Sequence, residues 1–161
     1  MSAFRGCADA SEARGERMAG TLGDFDLGLF VETRVAMPRL AVASICPELS
    51  ERVLACWARF RETGQGPHPR VLAMRDPSRS TSTDAHLAVI VLPRPAGPPL
   101  QYRMEFDDPR ALLDLDFDRL LADPTACGLE PDTRDRVLVC THGKVDPCCA
   151  VRGNAVYRAL L

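Results

Sequence analysis

Apolar positions along this chain change period at glycine and proline punctuation, and those changes mark out its elements. Residues 1–24 form a polar, mixed-charge lead-in with helical character around Ser11 to Ala19. Asp26 to Thr33 (DLGLFVET) is a short apolar run without a helical period, which predicts a buried strand. Ala36 to Ala43 has no decisive pattern. A helix starts at Cys46-Pro47-Glu48, because proline suits the first helical turn and a carboxylate suits its positive end. Leu49, Val53, Cys56/Trp57 and Phe60 then repeat at helical spacing until Gly64 and Gly66 stop the run. Strands are predicted at Arg70 to Met74, His86 to Leu92 and Leu100 to Phe106, separated by polar or proline-rich turns. Asp108-Pro109 opens another helix ending near Asp123-Pro124, although Asp114 to Asp118 also alternates with period two. After the loop Thr125 to Asp135, Arg136-Val137-Leu138-Val139-Cys140 predicts a further strand, followed by a polar loop and a helix.

The order strand, helix, strand, strand, strand, helix builds one α/β layered sheet, and a thioredoxin-like arrangement is among the simplest that fits. One strand and one helix cannot close a core of their own. The chain therefore reads as an N-terminal thioredoxin-like α/β unit over residues 1–133, then the opening strand, loop and helix of a second unit over 134–161.

Composition narrows the class. The 161 residues are 46% hydrophobic and 26% charged, as in a soluble globular protein. Lys+Arg 20 against Asp+Glu 22 gives a net charge of −2, so no basic excess drives phosphate binding and nucleic acid is not an expected partner. The first thirty residues lack the apolar core of a secretory signal, and no apolar run is long enough to span a membrane. A cytoplasmic location follows as the expectation. Seven cysteines are too few for a disulfide scaffold and odd in number, and in a reducing compartment they point toward metal or redox chemistry.

That chemistry concentrates in Val139 to Gly153 (VCTHGKVDPCCAVRG), which holds three of the seven cysteines, one of the three histidines and the only lysine. Cys140 ends the predicted strand, Asp146 suits an N-cap and Pro147 suits the first helical position. Cys148 and Cys149 then fall in the first turn, where free amides favour the thiolate. The two differ by about 100° around a helix. Cys149 shares a face with Gly153, Val156 and Leu160, while Cys148 falls nearer Arg152. Cys140 and Cys149 are the natural pair.

The run CTHGKVDPCCAVRG resembles the signature of the sucrase/ferredoxin-like proteins, in the pattern C-T-H-G-x-x-D-x-C-C-A-x-x-G. Cys7, Met18-Ala19-Gly20-Thr21, Leu27 to Glu32 and Asp107 to Asp116 are similar to that family's first half. The resemblance implies a thioredoxin-like ferredoxin second half holding a [2Fe–2S] cluster for electron transfer, with Cys140 and Cys149 as its cysteine ligands. It also implies two histidine ligands in a later H-x-G-G-H segment, which these 161 residues do not contain, so a C-terminally truncated second domain is expected. Three outcomes follow: a cluster-deficient remnant, replacement ligation by Cys148 or His142, or a homodimer whose copies share one cluster through four thiolates. All-thiolate ligation lowers the potential relative to a histidine-ligated centre. The electron donor or acceptor protein is not readable from the sequence.

Other readings remain open. Cys140, Cys148 and Cys149 could serve a thiol redox protein or a zinc or metalloid site, and Cys with His suits zinc. Against a disulfide oxidoreductase stands the absence of C-x-x-C. A non-catalytic folded remnant is the third alternative. Cys7, Cys46, Cys56 and Cys127 read as small apolar residues, His68 as an exposed loop residue, His86 as a satisfied residue at the core edge and Lys144 as a solvated charge. Glycoside hydrolysis needs two carboxylates across a cleft, whereas the aspartates of 114–118 read as a solvated face. No nucleotide-binding glycine motif occurs.

Overall fold

The structure, a computed structural model, describes residues 13–15, 25–33, 43, 45–79, 85–142 and 149–161. The chain divides into two compact units: Phe25–Arg134, and Met1–Asp24 together with Asp135–Leu161. The helical reading over Ser11 to Ala19 falls mostly outside the described residues, as do Cys7 and most of Ala36 to Ala43.

Unit 25–134 is a mixed α/β fold. Its elements are β1 (Leu27–Glu32), α1 (Pro47–Thr63), β2 (Pro69–Met74), β3 (His86–Leu92), β4 (Leu100–Phe106), a 3-10 turn (Pro109–Asp114), α2 (Phe117–Ala122), a second 3-10 turn (Pro124–Cys127) and β5 (Glu130–Pro131). The five strands form one sheet in the order β2-β1-β3-β4-β5. β1 and β2 run parallel, with Leu27 opposite Pro69 and Glu32 opposite Met74. Parallel neighbours need a crossover connection, and α1 lies within it. β3 is antiparallel to both β1 and β4, and β4 is antiparallel to β5. All six residues of β1 are buried, which is why its sequence runs apolar without alternation.

Alternation along the strands separates two apolar layers. Leu27, Leu29 and Val31 pack with Ala88, Ile90 and Tyr102 against Leu49 and Val53 of α1 and against Leu112, Phe117 and Leu120. Phe30, Met74, Leu87 and Val89 form a separate cluster, with Phe30 opposite Val89 in the ladder. The buried Glu32 ends β1 by accepting the Leu87 N–H (3.1 Å) and lies beside Arg79 (3.2 Å), which also pairs with Glu105 (2.9 Å).

α1 follows its sequence signals. Cys46 is the extended N-cap, Pro47 opens the helix, and Gly64 closes it at φ 67°, donating its N–H to the Phe60 carbonyl (2.8 Å). That left-handed conformation is why glycine stands there. Trp57 ties the helix to β2 by donating its indole N–H to the Pro69 carbonyl (2.6 Å). Arg52 donates to the carbonyls of Leu113 (2.7 Å) and Leu115 (2.5 Å), and its guanidinium carbon lies 4.4 Å from the Phe117 ring centre. Arg52→Ala leaves both carbonyls without this donor and is expected to cost about 2 kcal/mol. Lysine, with no planar fork, is expected to recover under half of it. Urea midpoints of the two variants check both figures.

That contact also explains a correction. The single helix expected from Asp108-Pro109 to Asp123-Pro124 is two: the 3-10 turn breaks at Leu115, whose backbone is extended, and Asp116 caps a new start by accepting the Arg119 N–H (3.1 Å). Leu115 and Phe117 both turn into the core, so the period-two alternation there describes the break itself. Asp123 then caps the second 3-10 turn, accepting from Thr125 Oγ1 (2.6 Å) and from the Thr125 and Ala126 amides. The Thr125 hydroxyl, and after it the Ala126 amide, hold the Asp123 carboxyl below its usual range. A carboxyl depressed in the folded state contributes stability above its unfolded pKa and loses it as pH falls through the folded one. Asp123→Asn is therefore expected to give up that contribution at neutral pH and to flatten the loss of stability below about pH 5, where the unfolded carboxyl begins to protonate. Urea midpoints across that range test it.

Two histidines differ from expectation. His68 is not an exposed loop residue: it is half-buried, with its ring stacked on Phe60 (4.8 Å between centroids, 5° between planes) and edge-on to Trp57 (6.4 Å). Flanking Pro67 and Pro69 are buried, so the segment folds onto α1. His86 stacks on Phe106 (5.8 Å), but its Nδ1 is buried with no hydrogen-bond partner among the described residues, so it is not the satisfied core-edge residue expected. Cys46 is buried and donates to Glu48 Oε2 (3.2 Å), while Cys56 and Cys127 pack against the core, as small apolar residues do. No described helix is long and apolar enough to cross a membrane.

Candidate metal centre

The cysteine-bearing segment belongs to the second unit. The strand expected at Arg136 to Cys140 is not formed among the described residues: 136–140 have no regular secondary structure, and Val137 and Leu138 are 74% and 50% exposed. β-branched and apolar side chains favour a pleated surface only when a neighbouring strand and a covered face accompany it. Residues 143–148 lie outside the described set, so the cap at Asp146, the first-turn position of Cys148 and the surroundings of Lys144 do too.

Cys149–Gly153 forms a single π-helical turn, followed without a break by α3 (Asn154–Leu160). Single π-helical turns recur at functional sites. The Asn154 side-chain amide, at the start of α3, donates to the Ala150 carbonyl of the turn (2.6 Å). Gly153 itself has φ −63° and ψ −42°, ordinary right-handed helix that any residue adopts. Its reason is space. A Cβ on Gly153 would run into the Cys140 carbonyl oxygen, with the Cys140 carbonyl carbon at 2.9 Å and Thr141 Cα at 3.5 Å.

That approach sets the Cys140 backbone against the helical stretch that begins at Cys149, four residues before Gly153. Cys140 is an exposed thiol and Cys149 a half-buried one. His142, two residues beyond Cys140, is half-buried, and its Nε2 is buried without a hydrogen-bond partner among the described residues. The structure thus associates the segments bearing Cys140, His142 and Cys149. It does not gather their side chains into one cluster: among the described residues no three His, Cys, Asp or Glu side chains lie close enough to hold a metal ion. Gly153 was visible in the sequence as a glycine within a helical stretch, but its steric role depends on a segment thirteen positions earlier.

The stretches that carry this pair also expose apolar side chains. Val137, Leu138, Val151, Val156, Leu160 and Leu161 are each at least half exposed. No protein family, no curated protein and no solved structure matches the chain.

Proposed function

We propose that the chain is an electron-transfer protein of sucrase/ferredoxin-like type, and that Cys140 and Cys149 hold a [2Fe–2S] cluster. The observation carrying this reading is the contact of Gly153 with the Cys140 backbone, which associates two thiol-bearing segments nine positions apart in sequence. A [2Fe–2S] centre takes four protein ligands and, when bound, supplies one-electron redox chemistry. One copy contributes two thiolates from the favoured pair, and a second copy contributes the other two, giving a homodimer with an all-thiolate site. The exposed apolar side chains of Val137, Leu138, Val151 and Val156 suit burial between copies. Cys148 is the reserve thiolate. The electron donor and acceptor are partner proteins of a cytoplasmic chain, with neither membrane nor nucleic acid involved.

The fold reading goes with it. The run β2-β1-β3-β4, with β3 antiparallel to both neighbours, supports a thioredoxin-like N-terminal unit over 1–133. Residues 134–161 then read as the start of a thioredoxin-like ferredoxin domain.

A second reading rests on His142. A buried imidazole nitrogen without a hydrogen-bond partner among the described residues, two residues from a thiol, suits zinc, whose sites combine Cys with His. Anaerobic incubation of the pure chain with iron and sulfide, followed by metal and acid-labile sulfide analysis and visible absorbance, separates the readings. Iron with equimolar sulfide and a coloured, EPR-active reduced form is the expected result. Zinc alone supports the Cys–His site. Turnover of a disulfide substrate without metal supports a thiol redox protein, and a colourless, metal-free, inactive chain supports a folded remnant.

A further inference from the structure

We infer that Gly153 is a positioning residue for the Cys140–Cys149 pair: its missing side chain admits the Cys140 carbonyl and thereby sets how closely the two thiols can share one ligand. The inference deepens the proposed function and rests on the same pair. Three observations carry it. Gly153 occupies ordinary helical φ and ψ, where alanine is the better helix former, so conformation gives no reason for glycine. The space a Cβ would take is filled by backbone, from the Cys140 carbonyl group to Thr141 Cα, and not by the movable end of a side chain. The same helical stretch begins with Cys149, in the π turn that ends at Gly153. A methyl group there cannot be absorbed by a rotamer change. Ordinary carbon–oxygen contacts lie near 3.3–3.6 Å, so the Cys140 backbone must retreat by more than about 1 Å, a shift large enough to loosen a two-point site.

The test uses the full chain in a Cys148→Ser background, free of metal, with phenylarsine oxide as the probe. Trivalent arsenic bridges two thiols: each thiol gives up its proton, two As–S bonds form, and the arsenic-bound oxygen leaves as water. Digestion and mass spectrometry locate the bridge. The expected result is one arsenical joining Cys140 to Cys149, held about tenfold or more weakly after Gly153→Ala. Ala155→Gly, an exposed position on the same helix, lowers helix propensity and is expected to leave the bridge intact, which separates positioning from helix stability. Equal binding by Gly153→Ala overturns the inference. So does a bridge from Cys140 to a cysteine other than Cys149, an outcome read in the background chain without altering Gly153 and therefore independent of whether the alanine variant folds. Parallel iron and sulfide incorporation keeps the two ideas apart. A chain that takes the arsenical in a Gly153-dependent way but no iron–sulfur cluster keeps this inference and loses the electron-carrier reading. A chain that takes the cluster equally well with alanine at 153 does the reverse.

Discussion

Cys140→Ser and Cys149→Ser are each expected to reduce iron and sulfide incorporation to under about a tenth of the unaltered chain, while Cys46→Ser and Cys127→Ser leave it unchanged. The difference follows from chemistry and surroundings together. A soft iron site needs thiolate, and a serine hydroxyl stays protonated at neutral pH. Cys140 is exposed, Cys149 is half-buried, and Gly153 brings their segments together. Cys46 is buried and donates to the exposed Glu48 carboxylate, and Cys127 ends the second 3-10 turn, packed against the core. In a shared site each copy contributes a pair, so one substitution removes two ligands of four. Cys148→Ser is expected to retain most incorporation. His142→Ala separates the iron and zinc readings: retained iron with retained sulfide favours the four-thiolate site, whereas loss of all metal favours ligation by the imidazole. Colorimetric iron and sulfide assays on each variant read these outcomes.

Phe117→Ala is expected to be the most damaging single substitution in the sheet-bearing unit, costing about 4 kcal/mol. The ring is 2% exposed and opens α2 among Leu112, Leu115 and Leu120. Its loss leaves a cavity that the short α2 cannot collapse to fill, and it removes the surface on which the Arg52 guanidinium lies at 4.4 Å. Since small domains are stable by only about 5–15 kcal/mol, the unit is brought near its folding threshold. Phe117→Leu keeps most of the volume and is expected to cost under about 2 kcal/mol. Denaturant midpoints with unchanged slope distinguish a packing loss from a change in the compactness of either state.

The parts of the fold legible in the sequence are those fixed by local chemistry. Pro47 and Gly64 bracket α1 because one suits a helix start and the other a left-handed end. The continuous apolar runs of β1 and β3 register strands buried by their neighbours. Where tertiary contacts decide, the pattern misled. The extended backbone at Leu115 interrupts an otherwise helical stretch because Arg52, from α1, takes its carbonyl. His68 sits between two prolines, a loop context in any sequence, yet Phe60 and Trp57 supply it with a stacking surface. β5 has only two residues, one of them Pro131, which leaves no strand signal to read. Arg136 to Cys140 has strand-like composition but forms no strand among the described residues.

The candidate site divides in the same way. The proposed pairing of Cys140 with Cys149 starts from spacing and helical phase. The π turn is not readable there, since it leaves no composition of its own, and the closeness that Gly153 permits depends on a backbone contact no local pattern records.

The most direct test of the shared-cluster proposal is native mass spectrometry of the anaerobically reconstituted chain. The expected species is a homodimer heavier than two chains by two irons and two sulfides, falling to metal-free monomer after Cys140→Ser. A monomer that carries zinc, or one that carries no metal under the same conditions, contradicts it.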